Sequence, residues 1–122
     1  MYKLNVTDTF SAAHKLPGYE GPCNNLHGHN WKVRICVKCE QLDDLGLAMD
    51  FRILKTKLGE VLDGLDHQYL NELPAFQNIN PTSEQIAGYI FEQMRQKLSS
   101  HSCELTEVEV GESDKTSVVY SL

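Results

Sequence analysis

The hydrophobic period of this chain changes twice along its length, from about two residues to helical spacing and back to two. Strand side chains alternate between two faces, whereas one helix face recurs every three or four residues, so this switch fixes an element order. Residues 2–14 alternate, with Tyr2, Leu4, Val6, Phe10, Ala12 and His14 on one parity and Asp8 as the single break. Lys3, Asn5, Thr7, Thr9, Ser11 and Ala13 take the other. Residues 27–39 repeat the pattern: His27, His29, Trp31, Val33, Ile35 and Val37 oppose Lys32, Arg34 and Lys38. Between these two strands, Lys15 to Asn25 holds Pro17, Gly18, Gly21 and Pro22 and reads as a loop.

The middle is helical. Asp50 is the expected N-cap of a helix whose stripe is Phe51, Leu54, Leu58, Val61, Leu62 and Leu65. After Asn80-Pro81, Thr82 and Gln85 have the form of a capping box, and Ile86, Ile90, Met94 and Leu98 recur every four residues. Alternation returns over 104–112, where Val108, Val110 and Glu112 share a face, and over 116–122. The order ββααββ defines an α+β fold, with two helices covering one face of a four-stranded antiparallel sheet. Both sheet edges are then without partners. Strand addition between identical subunits removes that hazard, so a homo-oligomer is expected.

Length and composition narrow the function. The 122 residues suit one domain spanning 1–122. Seventeen acidic residues against 11 basic ones give a net charge of −6, opposite to a nucleic-acid-binding footprint. No apolar run approaches the ~18 residues of a membrane span. Met1-Tyr2-Lys3-Leu4-Asn5 lacks the apolar stretch of a signal peptide, which makes a cytoplasmic protein the expectation. In that compartment the four cysteines are expected as thiols or metal ligands rather than disulfides.

The chemistry concentrates around His27-Gly28-His29. Side chains two apart on a strand share a face at roughly 6.6 Å spacing, close enough for two imidazoles to converge on one ion. His14 ends the first strand on the same parity as its apolar residues, and pairing across the Lys15–Asn25 loop brings it beside them. Three neutral imidazoles with a fourth position open describe a catalytic zinc site; the competing reading is hydrogen-bonded core histidines. Cys23 stands four residues before His27. Beside a dication its thiolate is favoured, and its position leaves base, nucleophile and fourth ligand all open.

Cys36 and Cys103 fit small buried hydrophobes. The Cys36/Cys39 pair is discounted as a C-x-x-C motif, because strand positions three apart face opposite sides. Asp66 beside His67 can fix an imidazole tautomer, or can be an ordinary polar helix end. Glu112 either reaches solvent or accepts a paired N–H donor such as a guanidine-like ring edge.

Phe10-Ser11-Ala12-Ala13-His14, Cys23-x3-His27-Gly28-His29, Met49-Asp50-Phe51, Leu65-Asp66-His67-Gln68-Tyr69-Leu70-Asn71 and Asn80-Pro81-Thr82-Ser83-Glu84 together resemble the 6-pyruvoyl-tetrahydropterin synthase family. The short chain and short Lys15–Asn25 loop are most similar to its bacterial branch, which makes a carboxypterin for queuosine. The resemblance implies the tunnelling fold, with subunits joined edge to edge, usually as hexamers with active sites between them. It implies zinc on His14, His27 and His29, Cys23 as proton acceptor, and Asp66 and His67 as a relay reaching the site of a neighbouring subunit. Glu112 matches the pterin-anchoring glutamate, also treated as part of the relay; Ser113 replaces a common threonine after it. The implied substrate is 7,8-dihydroneopterin triphosphate, a small molecule, with Lys15 a candidate phosphate contact. A pyruvoyl product, a hydroxymethylpterin for folate synthesis, and metal or pterin binding without turnover are the alternatives. His101 and the Cys36/Cys39 pair match no motif of the family.

Overall fold

A computed structural model describes residues 1–122. The order is β1 (Tyr2–His14), β2 (His27–Cys39), α1 (Phe51–Asp63), α2 (Ser83–Lys97), β3 (Glu104–Gly111) and β4 (Val118–Tyr120). The four strands form one antiparallel sheet in the order β1-β2-β3-β4, and the helices occupy the long connection between β2 and β3. Both helix starts follow their capping residues. The Asp50 carboxylate accepts from Arg52 N–H, and Thr82 Oγ1 accepts from Gln85 N–H. Thr82's own N–H goes to Asn80 C=O rather than to Gln85, so only half of the capping box forms. No helix is long and apolar enough to cross a membrane.

The parity read in the sequence becomes the core. Val6, Phe10, Ala12 and His14 of β1 and Trp31, Val33, Ile35 and Val37 of β2 are buried against Leu54, Leu58, Ile86, Ile90 and Met94 of the helices. Trp31 is fully buried, stacks on Phe10 at 5.8 Å and donates from Nε1 to Ala12 C=O, which settles its one polar atom. β3 departs from simple alternation. Its register slips between Cys36 and Val37, leaving Thr106 as an extra residue whose hydroxyl donates to Cys36 C=O. Leu105 and Val108, of opposite parity, are therefore both buried.

Three expectations need correction. β4 is only three residues long, because 112–117 forms a turn, and Glu112 lies one residue beyond β3. The outer edge of β1 is not wholly open. Residues 66–71 dock on its C-terminal half: Ser11 N–H donates to Asp66 Oδ1, Ser11 C=O accepts from His67 N–H, and Ala13 N–H donates to Gln68 C=O. Cys39 and Cys103, expected as thiols, form a disulfide. The reason is register. Lys38 pairs with Glu104, so the next residues outward face each other with Cα atoms 4.6 Å apart, inside the range a disulfide spans.

That bond closes a loop of 64 residues in sequence separation, containing both helices. Chain-entropy arguments give such closure roughly 4 kcal/mol. Reduction, or Cys103→Ser, is therefore expected to lower the thermal midpoint by about 10–20 °C in a circular dichroism melt. Identical melts with and without reductant would show that the crosslink contributes nothing.

Candidate metal centre

One end of the helix-covered sheet face gathers residues from four elements. His14 ends β1, His27 and His29 open β2, Glu112 follows β3, and Pro81 to Ser83 leads into α2. The β1–β2 register sets His14 opposite His27 and Ala12 opposite His29, so the three rings meet edge to face with centroids 4.5–5.2 Å apart. One nitrogen from each lies within 4.8 Å of the others. Cys23 Sγ is not part of this group, and Cys23 is half-buried in a single 3-10 turn at Pro22–Asn24.

The hydrogen bonds select the nitrogens that face inward. His14 Nδ1 donates to Pro81 C=O at 2.8 Å and His27 Nδ1 donates to Asn25 C=O at 2.6 Å, which leaves each Nε2 with a free lone pair. Nε2 of His14, His27 and His29 are buried, and none has a hydrogen-bond partner. Three orphaned acceptors aimed at one point are costly unless a cation satisfies them, so the donor set fits a metal ion. Burial lowers the pKa of His14, against the raising effect of the Pro81 carbonyl, and burial likewise lowers that of His29 against the Glu112 charge. Both shifts favour neutral imidazole, the form that coordinates.

Glu112 stands beside the cluster, its carboxylate 3.5 Å from His29 Nε2 and 4.0 Å from His14 Nε2 without hydrogen-bond geometry. Ser83, the first residue of α2, donates a 3.4 Å bond to its Oε1, and a helix N-terminus favours negative charge there. Ser113 Oγ accepts from Lys115 N–H, within the turn that follows.

Asp66 and His67 lie across the β1 edge. Asp66 Oδ2 accepts from His67 Nδ1 at 2.8 Å while Oδ1 holds Ser11 N–H; the Ser11 bond first, then His67, keep the carboxyl below its ordinary value. His67 is held at φ 58°, a left-handed conformation uncommon for a residue with a side chain, and its ring is 82% exposed. Its N–H bond to Ser11 offsets that strain and turns the ring outward. His29 and His67 both line one open depression of about 510 Å³. The Lys15 side chain is exposed, and His101 lies in the turn after α2, away from these residues in the chain order. Cys36 is a buried free thiol, as expected of a small hydrophobe.

Sequence reading missed the carbonyls of Pro81 and Asn25, which orient two of the histidines, because any residue carries such a group. It placed Asn71 in a motif but gave it no role, and its side chain binds both the N–H and the C=O of Lys15.

An α+β sheet with three imidazoles converging on one point and a carboxylate beside them defines a class: small domains with a three-histidine cluster that could hold a metal ion. Comparison with known proteins narrows that class. Residues 3–122 match the family model described as 6-pyruvoyl tetrahydropterin synthase. The chain is 40% identical over 93 residues to 6-carboxy-5,6,7,8-tetrahydropterin synthase of Synechocystis sp., covering 72% of this chain and 70% of that protein. It is 35% identical over 104 residues to the Bacillus subtilis protein of the same name, covering 81% of this chain and 69% of that one. The structure of Caenorhabditis elegans 6-pyruvoyl tetrahydropterin synthase superposes with a TM-score of 0.89 at 30% identity, over 99% of this chain and 95% of that one. The chain belongs to the 6-pyruvoyl tetrahydropterin synthase family.

Proposed function

We propose that this chain is a zinc-dependent carbon–carbon and carbon–oxygen lyase. It converts 7,8-dihydroneopterin triphosphate and one water to 6-carboxy-5,6,7,8-tetrahydropterin, with release of acetaldehyde and triphosphate, on the route to queuosine. The observation that carries this reading is the convergence of three unpartnered Nε2 atoms beside Glu112, in a chain whose relatives include proteins named for that product.

His14, His27 and His29 would hold the zinc, which when bound supplies Lewis acidity toward the side-chain oxygens of the substrate and so acidifies the adjoining C–H bonds. Cys23, on the loop leading into His27, takes the proton released there. Glu112 receives the paired N–H groups of the pterin's guanidine-like edge, a geometry that suits a carboxylate, and acts with the relay. Asp66 holds Nδ1–H of His67, so that His67 returns a proton through Nε2. Its outward, exposed ring fits action at the site of a neighbouring subunit in a homo-oligomer, a hexamer on this reading. Lys15 meets the triphosphate, and the enzyme works in the cytoplasm.

The pyruvoyl reading is favoured by one observation, the near-complete superposition on the Caenorhabditis elegans enzyme. Product analysis separates the two. Purified protein with its metal quantified is incubated with dihydroneopterin triphosphate, and products are read by mass spectrometry. Carboxypterin with acetaldehyde is expected. A pyruvoyl product without acetaldehyde, a hydroxymethylpterin, or tight pterin binding without turnover in zinc-replete protein would each replace the proposal with the corresponding alternative.

A further inference from the structure

The loop that carries Cys23 is anchored at its root by a side chain to which the mechanism above gives no role. Asn71 Oδ1 accepts from Lys15 N–H at 3.0 Å, and Asn71 Nδ2 donates to Lys15 C=O at 2.9 Å. A carboxamide that engages both backbone groups of one residue behaves as a one-residue strand partner, extending β1 one step past His14. The next residue then holds the cysteine: Leu16 N–H donates to Cys23 C=O at 2.9 Å. Lys15 is thus flanked by a histidine of the cluster on one side and by the residue that grips Cys23 on the other.

Asn71 is itself well fixed. It sits in the single-turn helix Leu70–Glu72 beside the fully buried Leu70, and its carbonyl accepts from Gln77 Nε2 at 3.4 Å. At the far end of the loop, Asn24 N–H bonds to Gly21 C=O and Asn25 N–H to Pro22 C=O, after which Asn25 C=O holds the His27 ring. The bonds inside that 3-10 turn are local and form wherever the loop stands. The Lys15 anchor ties the root of the loop to the body of the domain through a residue 56 positions away, and Asn80 Nδ2 adds one bond farther along, to Pro17 C=O at 3.2 Å.

We propose that Asn71 is a positioning residue for Cys23: by clamping Lys15 it sets, through the Leu16–Cys23 hydrogen bond, where the thiol stands relative to the three histidines. The inference rests on Cys23 as the proton acceptor. Lys15 is exposed, so water replaces the lost bonds when the carboxamide is removed, and the fold survives while the loop gains freedom. A displacement of about 1 Å at a reacting group is enough to cost roughly 100-fold in rate.

The test uses the zinc-containing protein and Asn71→Ala. Turnover number is expected to fall about 10- to 100-fold with zinc content unchanged. Alkylation of Cys23 by iodoacetamide, read on its peptide by mass spectrometry, is expected to speed up at least about fivefold as local opening becomes easier. Buried Cys36, the other free thiol, serves as an internal control. In a Cys23→Ala background, Asn71→Ala should cost nothing further, because both changes act through one group. Wild-type turnover and alkylation in Asn71→Ala, or an undiminished second loss in the double variant, would overturn the clamp. Should Asn71→Ala fail to fold, Asn71→Asp keeps the acceptor for Lys15 N–H but sets a carboxylate against its C=O, and the same signature is expected. If Cys23→Ala alone retains full activity, the proton-acceptor reading fails, while the alkylation rate still decides whether Asn71 holds the loop.

Discussion

Cys23→Ala is expected to lower acetaldehyde release by about 10²- to 10⁴-fold, the usual range for losing a positioned proton acceptor. Zinc content should stay at the level of the unaltered protein. The two halves belong together. Cys23 Sγ stands outside the group of nitrogens that face one another, so on the proposed mechanism its removal leaves the metal's ligands intact. A variant that lost zinc along with activity would make the thiol a fourth ligand, and one that kept both would remove it from the chemistry. Elemental analysis beside the acetaldehyde assay distinguishes these outcomes on one preparation.

The histidines are expected to separate by burial. Loss of an outer-sphere partner commonly costs 10- to 100-fold in metal affinity, so His14→Ala and His29→Ala, which on the proposed reading remove direct ligands, should each exceed about 100-fold. Stability should divide them. His14 is fully buried against Trp31 at 4.9 Å and holds Pro81 C=O, so its truncation leaves a cavity and an unpaired carbonyl, together worth roughly 2–4 kcal/mol. His29 keeps 22% of its side-chain surface in water and has no such bond, so the same change should cost under about 1 kcal/mol. Zinc competition with a chelator measures the first effect and urea unfolding of the metal-free proteins the second. Equal destabilisation by the two variants would contradict this distinction by burial.

Much of this was legible in the chain. The ends of β1 and β2 fall where alternation begins and stops, and the Asp50 and Thr82 caps sit where a short polar side chain precedes a helical stripe. His27 and His29 share a parity with buried Val33 and Ile35, and His14 with buried Phe10 and Ala12, so the inward face of each histidine followed from the pleat. The β3 bulge was not legible, since Thr106 looks like any other strand residue until Cys36 C=O is there to accept its hydroxyl. Nor was the Cys39–Cys103 bond. Redox compartment says nothing about register, and only pairing of Lys38 with Glu104 brings the two sulfurs together.

What the sequence determined by itself is local: period, caps, turn formers, and the side of the sheet on which each histidine stands. These depend on backbone geometry within a few residues, where side-chain type is decisive. What the tertiary structure decided is which distant backbone atoms meet. Pro81 C=O orients His14, Asn25 C=O orients His27, and Asn71 clamps Lys15. Residues 66–71 cover half of an edge that alternation alone leaves open. Carbonyls and amide hydrogens are the same in every residue except proline, so their partners become readable only once the chain has closed on itself.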